Sequence, residues 1–402
     1  MTVTIITLCV LILIAYAFDL SSKHTRIPTV LLLLILGWAV HQATDFFKLR
    51  VPDLNPILPL FGTVGLILIV LEGGLELELN KSKKKILAKS ALSGLIPAVI
   101  LFLIIGAGFS YYSGQSLVDG IINAIPLCII SSSVAIPTAK NLEKNEREFV
   151  IYESSWSDIF GVIIFNFFTA NEVINLMAVG NFFLQMLIMF VVSLIASIGL
   201  AFLIKKIDHH VKFIPIITIA ILIYVISYVY DLPALIFILI FGLLLNNLEE
   251  FKNISFIKKL NPEKLDSEVH RFREVVGEIT FLIRTLFFLL FGFVINARSL
   301  LDPTSLIIAG SIIAAILIIR IIHLKIAGMP LSPLLFIAPR GLITVLLFLS
   351  IPISRQIHFV NEVVLMQIIL MSAIIMMIGF MFKKEKVEEK ENEDDNNYIP
   401  GG

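Results

Sequence analysis

An all-α polytopic membrane protein is the fold class the sequence predicts, and three observations predict it. Of 402 residues, 58% are hydrophobic and only 15% are charged, too few charges to clothe a water-soluble protein of this length. Mean hydropathy is +0.96, and apolar runs close to the roughly 20 residues that carry a helix across a bilayer recur along the chain. Basic and non-basic loops alternate between those runs. The short alternating strands of a transmembrane β-barrel are missing from the pattern.

The hydropathy predicts about thirteen spans. The first five are Val3–Leu20, Ile27–Thr44, Pro56–Leu75, Ile86–Phe109 and Leu117–Ala139. The next four are Phe149–Ala170, Gly180–Ile204, Phe213–Tyr230 and Pro233–Leu248. The last four are Val275–Ile295, Thr304–Ile322, Leu334–Ile353 and Val363–Phe382. Residues 1–383 read as one membrane unit, and 384–402, "KEKVEEKENEDDNNYIPGG", as a short polar disordered tail. The first span has no basic n-region and no clear small-residue cleavage site, so it reads as a retained helix rather than a signal peptide.

Charge sets the expected orientation. "SSKHTR", "NKSKKKILAK", "KNLEKNER", "KKIDHHVK" and "FKNISFIKKLNPEKLDSEVHRFR" are basic, whereas "SYYSGQSLVDG" and "NEVINLMAVGN" carry no Lys or Arg. By the positive-inside rule the basic set is cytoplasmic, with the N-terminus outside and the C-terminus inside, as an odd span count requires. The formal net charge is zero, and no nucleic-acid partner is expected. Cys9 and Cys128 lie in apolar runs without metal-ligand spacing, so neither a disulfide framework nor a cofactor is expected. No HExxH pair or Gly-x-Ser-x-Gly motif occurs on any span, which speaks against an intramembrane enzyme.

Ionisable residues inside spans are expensive in lipid and therefore candidates for function. Five stand out: Glu72, Glu153, Asp158, Arg320 and Arg340. Counted from Arg147 at about 1.5 Å per residue, Asp158 lies near the midplane. Residues four apart share a helix face, so Ser154 and Asp158 line one stripe, and Glu153 and Ser157 the adjacent one. Asp158 then faces water and an ion, or hydrogen-bonds neighbouring helices. Glu153 needs a partner, and Arg320 is the expected one, because a buried charge persists when paired. Glu72 precedes two glycines that allow close helix approach; it either joins the ion site or reaches interfacial water. Arg284, near the start of the tenth span, is expected to lie close to cytoplasmic solvent.

Two spans are interrupted. The fifth carries Pro126, Ser131, Ser132, Ser133 and Pro137, and the twelfth carries Pro339, Arg340 and Gly341. Pro removes a backbone donor and clashes with the preceding turn. Paired interruptions at corresponding positions point to a transporter site. They fall seven spans apart, and an odd offset makes the two antiparallel, as an inverted repeat demands. Arg340 either steers an ion or stabilises the broken helix.

Together these residues resemble the monovalent cation:proton antiporter superfamily, in particular its sodium/proton exchanger branch. "LEGGLELEL" is similar to the family's third-span motif, Glu153-Ser154-Ser155-Trp156-Ser157-Asp158 to its sixth-span acidic motif, and "APRGLITV" to its twelfth-span Arg-Gly motif. Arg320 falls where the family keeps a base for the sixth-span glutamate, and "RTLFFLLFGFVIN" is also family-like. The resemblance implies a sodium/proton antiporter fold of thirteen helices, in which the discontinuous fifth and twelfth cross. Residues 86–170 and 304–382 would form the core bundle, the remaining helices a dimerisation scaffold, and the protein a homodimer of the inner (plasma) membrane. Two positions depart from the family: Ser132 stands where it has Asp, and Ser157 where it has Asn.

The implied activity is exchange of Na⁺, or alternatively K⁺ or Li⁺, for H⁺ in pH and cation homeostasis. Asp158 would carry proton or cation, with oxygens from Ser154, Ser132, Ser131 and Ser157, backbone around Ser131–Val134, and Glu72 nearby. One titrating acid, with Glu153 held by Arg320, implies electroneutral exchange. A cation channel and a degenerate regulatory protein of the same fold are the competing expectations.

Overall fold

The computed structural model describes residues 2–25, 27–48, 58–77, 84–139, 142–206, 213–230, 232, 234–247, 262–294 and 299–381. The expected tail and most of the basic loops lie outside the described residues. Among the described residues all regular structure is helical. In chain order the helices are α1 Thr2–Thr25, α2 Thr29–Phe46, α3 Leu58–Glu76, α4 Lys84–Ser113, α5 Leu117–Cys128, α6 Ser132–Ala139 and α7 Lys144–Ala170. They continue as α8 Leu176–Lys206, α9 Phe213–Val229, α10 Ala234–Asn246, α11 Pro262–Val294, α12 Pro303–Ile326, α13 Leu342–Leu349 and α14 Glu362–Met381. Among the described residues, seven candidate spans are by length and composition long and apolar enough to cross a membrane, one of them the α5–α6 stretch Leu117–Ala139.

Local chemistry fixes several ends. Ser116 caps α5 by accepting from the Asp119 amide at 3.1 Å. Asp302 caps α12 by accepting from the Ser305 amide at 2.9 Å, with Pro303 in the first turn, where its missing N–H costs nothing. At the far end of α12, Gly328 adopts φ +61°. Its amide donates to Lys325 O and that of Met329 to Leu324 O, the paired bonds of a Schellman stop.

Small residues bring the helices together. At the α3–α10 crossing, a Cβ on Gly74 would lie 2.8 Å from Leu239 O, and one on Gly242 would lie 2.8 Å from Leu71 O. Backbone approaches that close require glycine on both sides. Gly73, by contrast, faces open space. Elsewhere α4 packs on α5 and α7, α11 on α2 and α3, and α12 on α14. The interrupted stretch Leu117–Ala139 is the most enclosed candidate span: 83% of its apolar window is buried, against 22% for Leu176–Gly199. Irregular backbone at membrane depth survives in such a place because protein, not lipid, surrounds it.

Candidate ion-binding site

The two interruptions meet. α5 stops at Cys128, Ile129 is extended (φ −78°, ψ 133°), and α6 starts at Ser132. Pro126 and Pro137 sit inside α5 and α6, and the break falls between them. In the twelfth segment the stretch before Pro339 is turns rather than helix, and α13 covers only Leu342–Leu349. The Ser131 amide donates to Pro339 O at 2.9 Å. A Cβ on Gly341 would lie 2.7 Å from Ser131 Oγ and 2.8 Å from Val134 Cγ2, so a residue without a side chain lets the two breaks touch.

Arg340 is 1% exposed. Its Nε donates to Leu127 O at 2.8 Å, Nη2 to Cys128 O at 3.1 Å, and Nη1 to Ala338 O at 2.6 Å. The last carbonyls of a helix have no intrahelical donor and carry the negative end of its dipole. A guanidinium answers both needs at the end of α5. Two of these donors go to the end of α5 and the third to the chain before Pro339, rather than to Asp158.

α7 carries the acids. Asp158 Oδ2 accepts from the Ser132 amide at 3.2 Å, at the first residue of α6. Its Oδ1 is buried and has no hydrogen-bond partner among the described residues. A void of about 10 Å³, water-sized, is lined by Asp158, Ser155, Gly73, Ile69 and Leu239. It adjoins a larger cavity of about 240 Å³, lined by Asp19, Glu72, Glu76, Ser132, Ser133 and Arg284. The two share Ile69 and Gly73, which explains why Gly73 has no close neighbour. The cavity lies toward the C-terminal end of α3, where Glu72 and Glu76 are one turn apart.

Glu153 is 1% exposed and faces a different neighbour. Arg320 Nη2 donates to Glu153 Oε2 at 2.9 Å and Nη1 to Oε1 at 3.1 Å, a fork-to-fork pair. The same guanidinium donates to Leu334 O at 2.8 Å and Ile337 O at 2.9 Å. Those carbonyls belong to the turns before Pro339, so Arg320 holds a non-helical backbone as well as an acid.

The serines divide. Ser132 presents its amide to Asp158 and lines the large cavity. Ser131 Oγ lies 2.9 Å from Ser133 Oγ, beside Gly341. Ser157 Oγ accepts from the Ile130 amide at 3.0 Å, holding the unwound backbone. Ser154 Oγ donates back to Val150 O at 2.8 Å and lines neither cavity. Sequence reasoning passed over Ser155, which lines the Asp158 void.

Arg284 is half-buried and lines the large, open cavity with Glu72, where its Nη1 donates to Ser133 O at 3.3 Å. The signal was present in Pro137, which has no N–H for the Ser133 carbonyl four residues back.

The family described as sodium/hydrogen exchanger, transmembrane, matches residues 9–384. No curated protein matches the chain in sequence. Among solved structures, the sodium proton antiporter MjNhaP1 from Methanocaldococcus jannaschii at pH 8 superposes with a TM-score of 0.70 at 17% identity, over 94% of this chain and 99% of that one. An electron-microscopy structure of the same antiporter gives a TM-score of 0.66 at 16% identity over the full length of both chains. The likeness extends over the interrupted segments and α7, and with the family match it has one reading: the chain belongs to the sodium/hydrogen exchanger family.

Proposed function

We propose that the protein exchanges a monovalent cation for protons by alternating access, with Na⁺ foremost and K⁺ and Li⁺ as alternatives. One observation carries the reading. Glu153, Arg320 and Arg340 are saturated by protein groups, whereas Asp158 keeps a buried carboxylate oxygen without a partner beside a cavity. A carboxylate oxygen buried with no protein donor is a place for either a proton or a cation. The Ser132 amide, at the positive end of α6, orients it.

The cation's remaining ligands are oxygens: Ser132, Ser131, Ser154 or Ser157 hydroxyls, backbone at the break, and Glu72 on the approach. Of the hydroxyls, Ser132 has the strongest claim, since its residue bonds Asp158 and borders the cavity. The fifth and twelfth segments cross at their interruptions in this reading, a geometry supported by the Ser131–Pro339 bond and by Arg340 bound to the end of α5. Residues 86–170 and 304–382 move as a core against the remaining helices, which form the interface of a homodimer in the plasma membrane. The N-terminus lies outside and the C-terminus in the cytoplasm. With Glu153 neutralised by Arg320, one cation exchanges for one proton.

Purified protein in liposomes loaded with a pH-reporting dye tests the reading. Na⁺, K⁺ or Li⁺ added outside is expected to move protons in the wild type and not in Asp158→Asn. An imposed membrane potential should leave the rate unchanged. Because proton and cation compete, the half-saturating Na⁺ concentration should rise by up to about tenfold per pH unit on the acid side. Current without coupled proton movement would establish a channel, and silence with every cation a regulatory protein.

A further inference from the structure

The large cavity contains a cation of its own. Arg284 comes from α11, far in sequence from the broken segment, and brings a guanidinium into the cavity. It lines one space with Asp19, Glu72 and Glu76, and Asp158 lies one small void further in. Its donor meets a particular carbonyl. In a regular helix the Ser133 carbonyl would accept from residue 137, but that residue is proline and has no N–H. A carbonyl left this way at the wall of a cavity is open to another donor or to a cation. Arg284 Nη1 fills the place at 3.3 Å, a long bond for a charged donor. Such a contact is easily exchanged.

We propose that Arg284 is a tethered counter-cation of this vestibule: it occupies the Ser133 carbonyl and the field of Glu72 while the site is empty, and the transported cation displaces it. Arg284 is then a specificity-determining residue that sets cation affinity from outside the immediate coordination shell. The proposal rests on the exchange reading for its physiological meaning, but its test does not. A fixed positive charge repels an incoming cation, and a vestibule with fewer acids or a freer arginine binds more weakly. The arrangement also accounts for the conjunction of Pro137 and Arg284 on segments that are remote in sequence.

The experiment uses the full-length protein in detergent and in liposomes. Cation binding is read as the NaCl concentration giving half-maximal thermal stabilisation, with choline chloride as the ionic-strength control. Transport is read by the pH dye. Arg284→Gln keeps a hydrogen-bonding side chain without charge and is expected to lower the Na⁺ midpoint about fivefold or more, while Arg284→Lys stays near wild type. Arg284→His guards against a folding defect, because one protein then carries both charge states. Its Na⁺ midpoint, relative to wild type at the same pH, should be lower above about pH 7.5 and equal below about pH 5.5. A midpoint in Arg284→Gln equal to or higher than wild type, or a His variant whose ratio to wild type ignores pH, overturns the proposal. Wild-type protein that binds Na⁺ but moves no protons sinks the exchange reading alone, and the midpoints still decide the role of Arg284.

Discussion

At the scale of single residues, the interior is governed by how each charge is neutralised. Glu153 and Arg320 neutralise each other at 2.9 and 3.1 Å, both nearly inaccessible. Removing one partner strands the other, a change that costs about 3–5 kcal/mol in buried pairs, whereas replacing both by neutral groups costs much less. Glu153→Gln and Arg320→Gln should therefore each lower the thermal-unfolding midpoint more than the double variant does. Arg320→Gln should be the worse single change, because the Leu334 and Ile337 carbonyls lose a donor too. Losses that simply add would refute the coupling. The need of each of these residues for a partner was legible in the sequence, since a lone charge in an apolar run demands one. The direction in which Arg284 points was signalled only by Pro137 on the other segment, not by α11 itself. In lipid both faces of a helix are apolar, so the periodicity that marks a buried face in water is lost, and α11 gives no hint that Arg284 turns toward α6.

At the scale of elements, the two interruptions depend on close contact as much as on proline. Sequence marked both breaks through Pro137, Pro339 and Gly341. It also began the twelfth span at Leu334, where the structure has turns. The cause lies on another helix: Arg320 accepts the burden of the Leu334 and Ile337 carbonyls, so that stretch does not need helical bonds. Contacts of that kind depend on which helices are neighbours, and local sequence does not encode it. Gly341 tests the contact. An alanine methyl there would lie 2.7 Å from Ser131 Oγ and 2.8 Å from Val134 Cγ2. Gly341→Ala is expected to destabilise by about 1–3 kcal/mol through overpacking and to impair transport by pushing α6, and with it Ser132, off Asp158. Gly310 in α12 is the control: nothing lies within 4 Å of its virtual Cβ, and Gly310→Ala should be neutral or stabilise by up to about 1 kcal/mol. Equal midpoints for the two variants would show that the breaks do not bear on each other as described.

At the scale of the whole molecule, the polar groups are distributed unequally between the two ends of the broken helix pair. Toward the C-terminal end of α3 lies the cavity of about 240 Å³. At the opposite end, the start of α5 is sewn shut. Arg355 Nε donates to Asp119 Oδ1 at 2.7 Å and Nη1 to Thr169 O at 3.1 Å, and the Asn123 amide donates to Arg355 O at 2.8 Å. The Ile357 amide returns to Asn123 Oδ1 at 3.2 Å. This seam joins α5, the end of α7 and the turn after α13 into one body, so in the exchange reading proposed above the cation approaches Asp158 from the cavity side. Chemical access measures that asymmetry. Ile136 lines the cavity and is only partly buried. In a Cys9→Ser, Cys128→Ser background, Ile136→Cys should react with a membrane-impermeant thiol reagent applied from the side of the "NKSKKK" loop and be spared from the other side. Na⁺ should slow the reaction, because the cation draws the vestibule closed around Asp158, and adding Asp158→Asn should abolish that protection. Reaction from the opposite face at an equal rate, or protection that persists without the Asp158 carboxylate, would mean that the cavity is not the cation's way in.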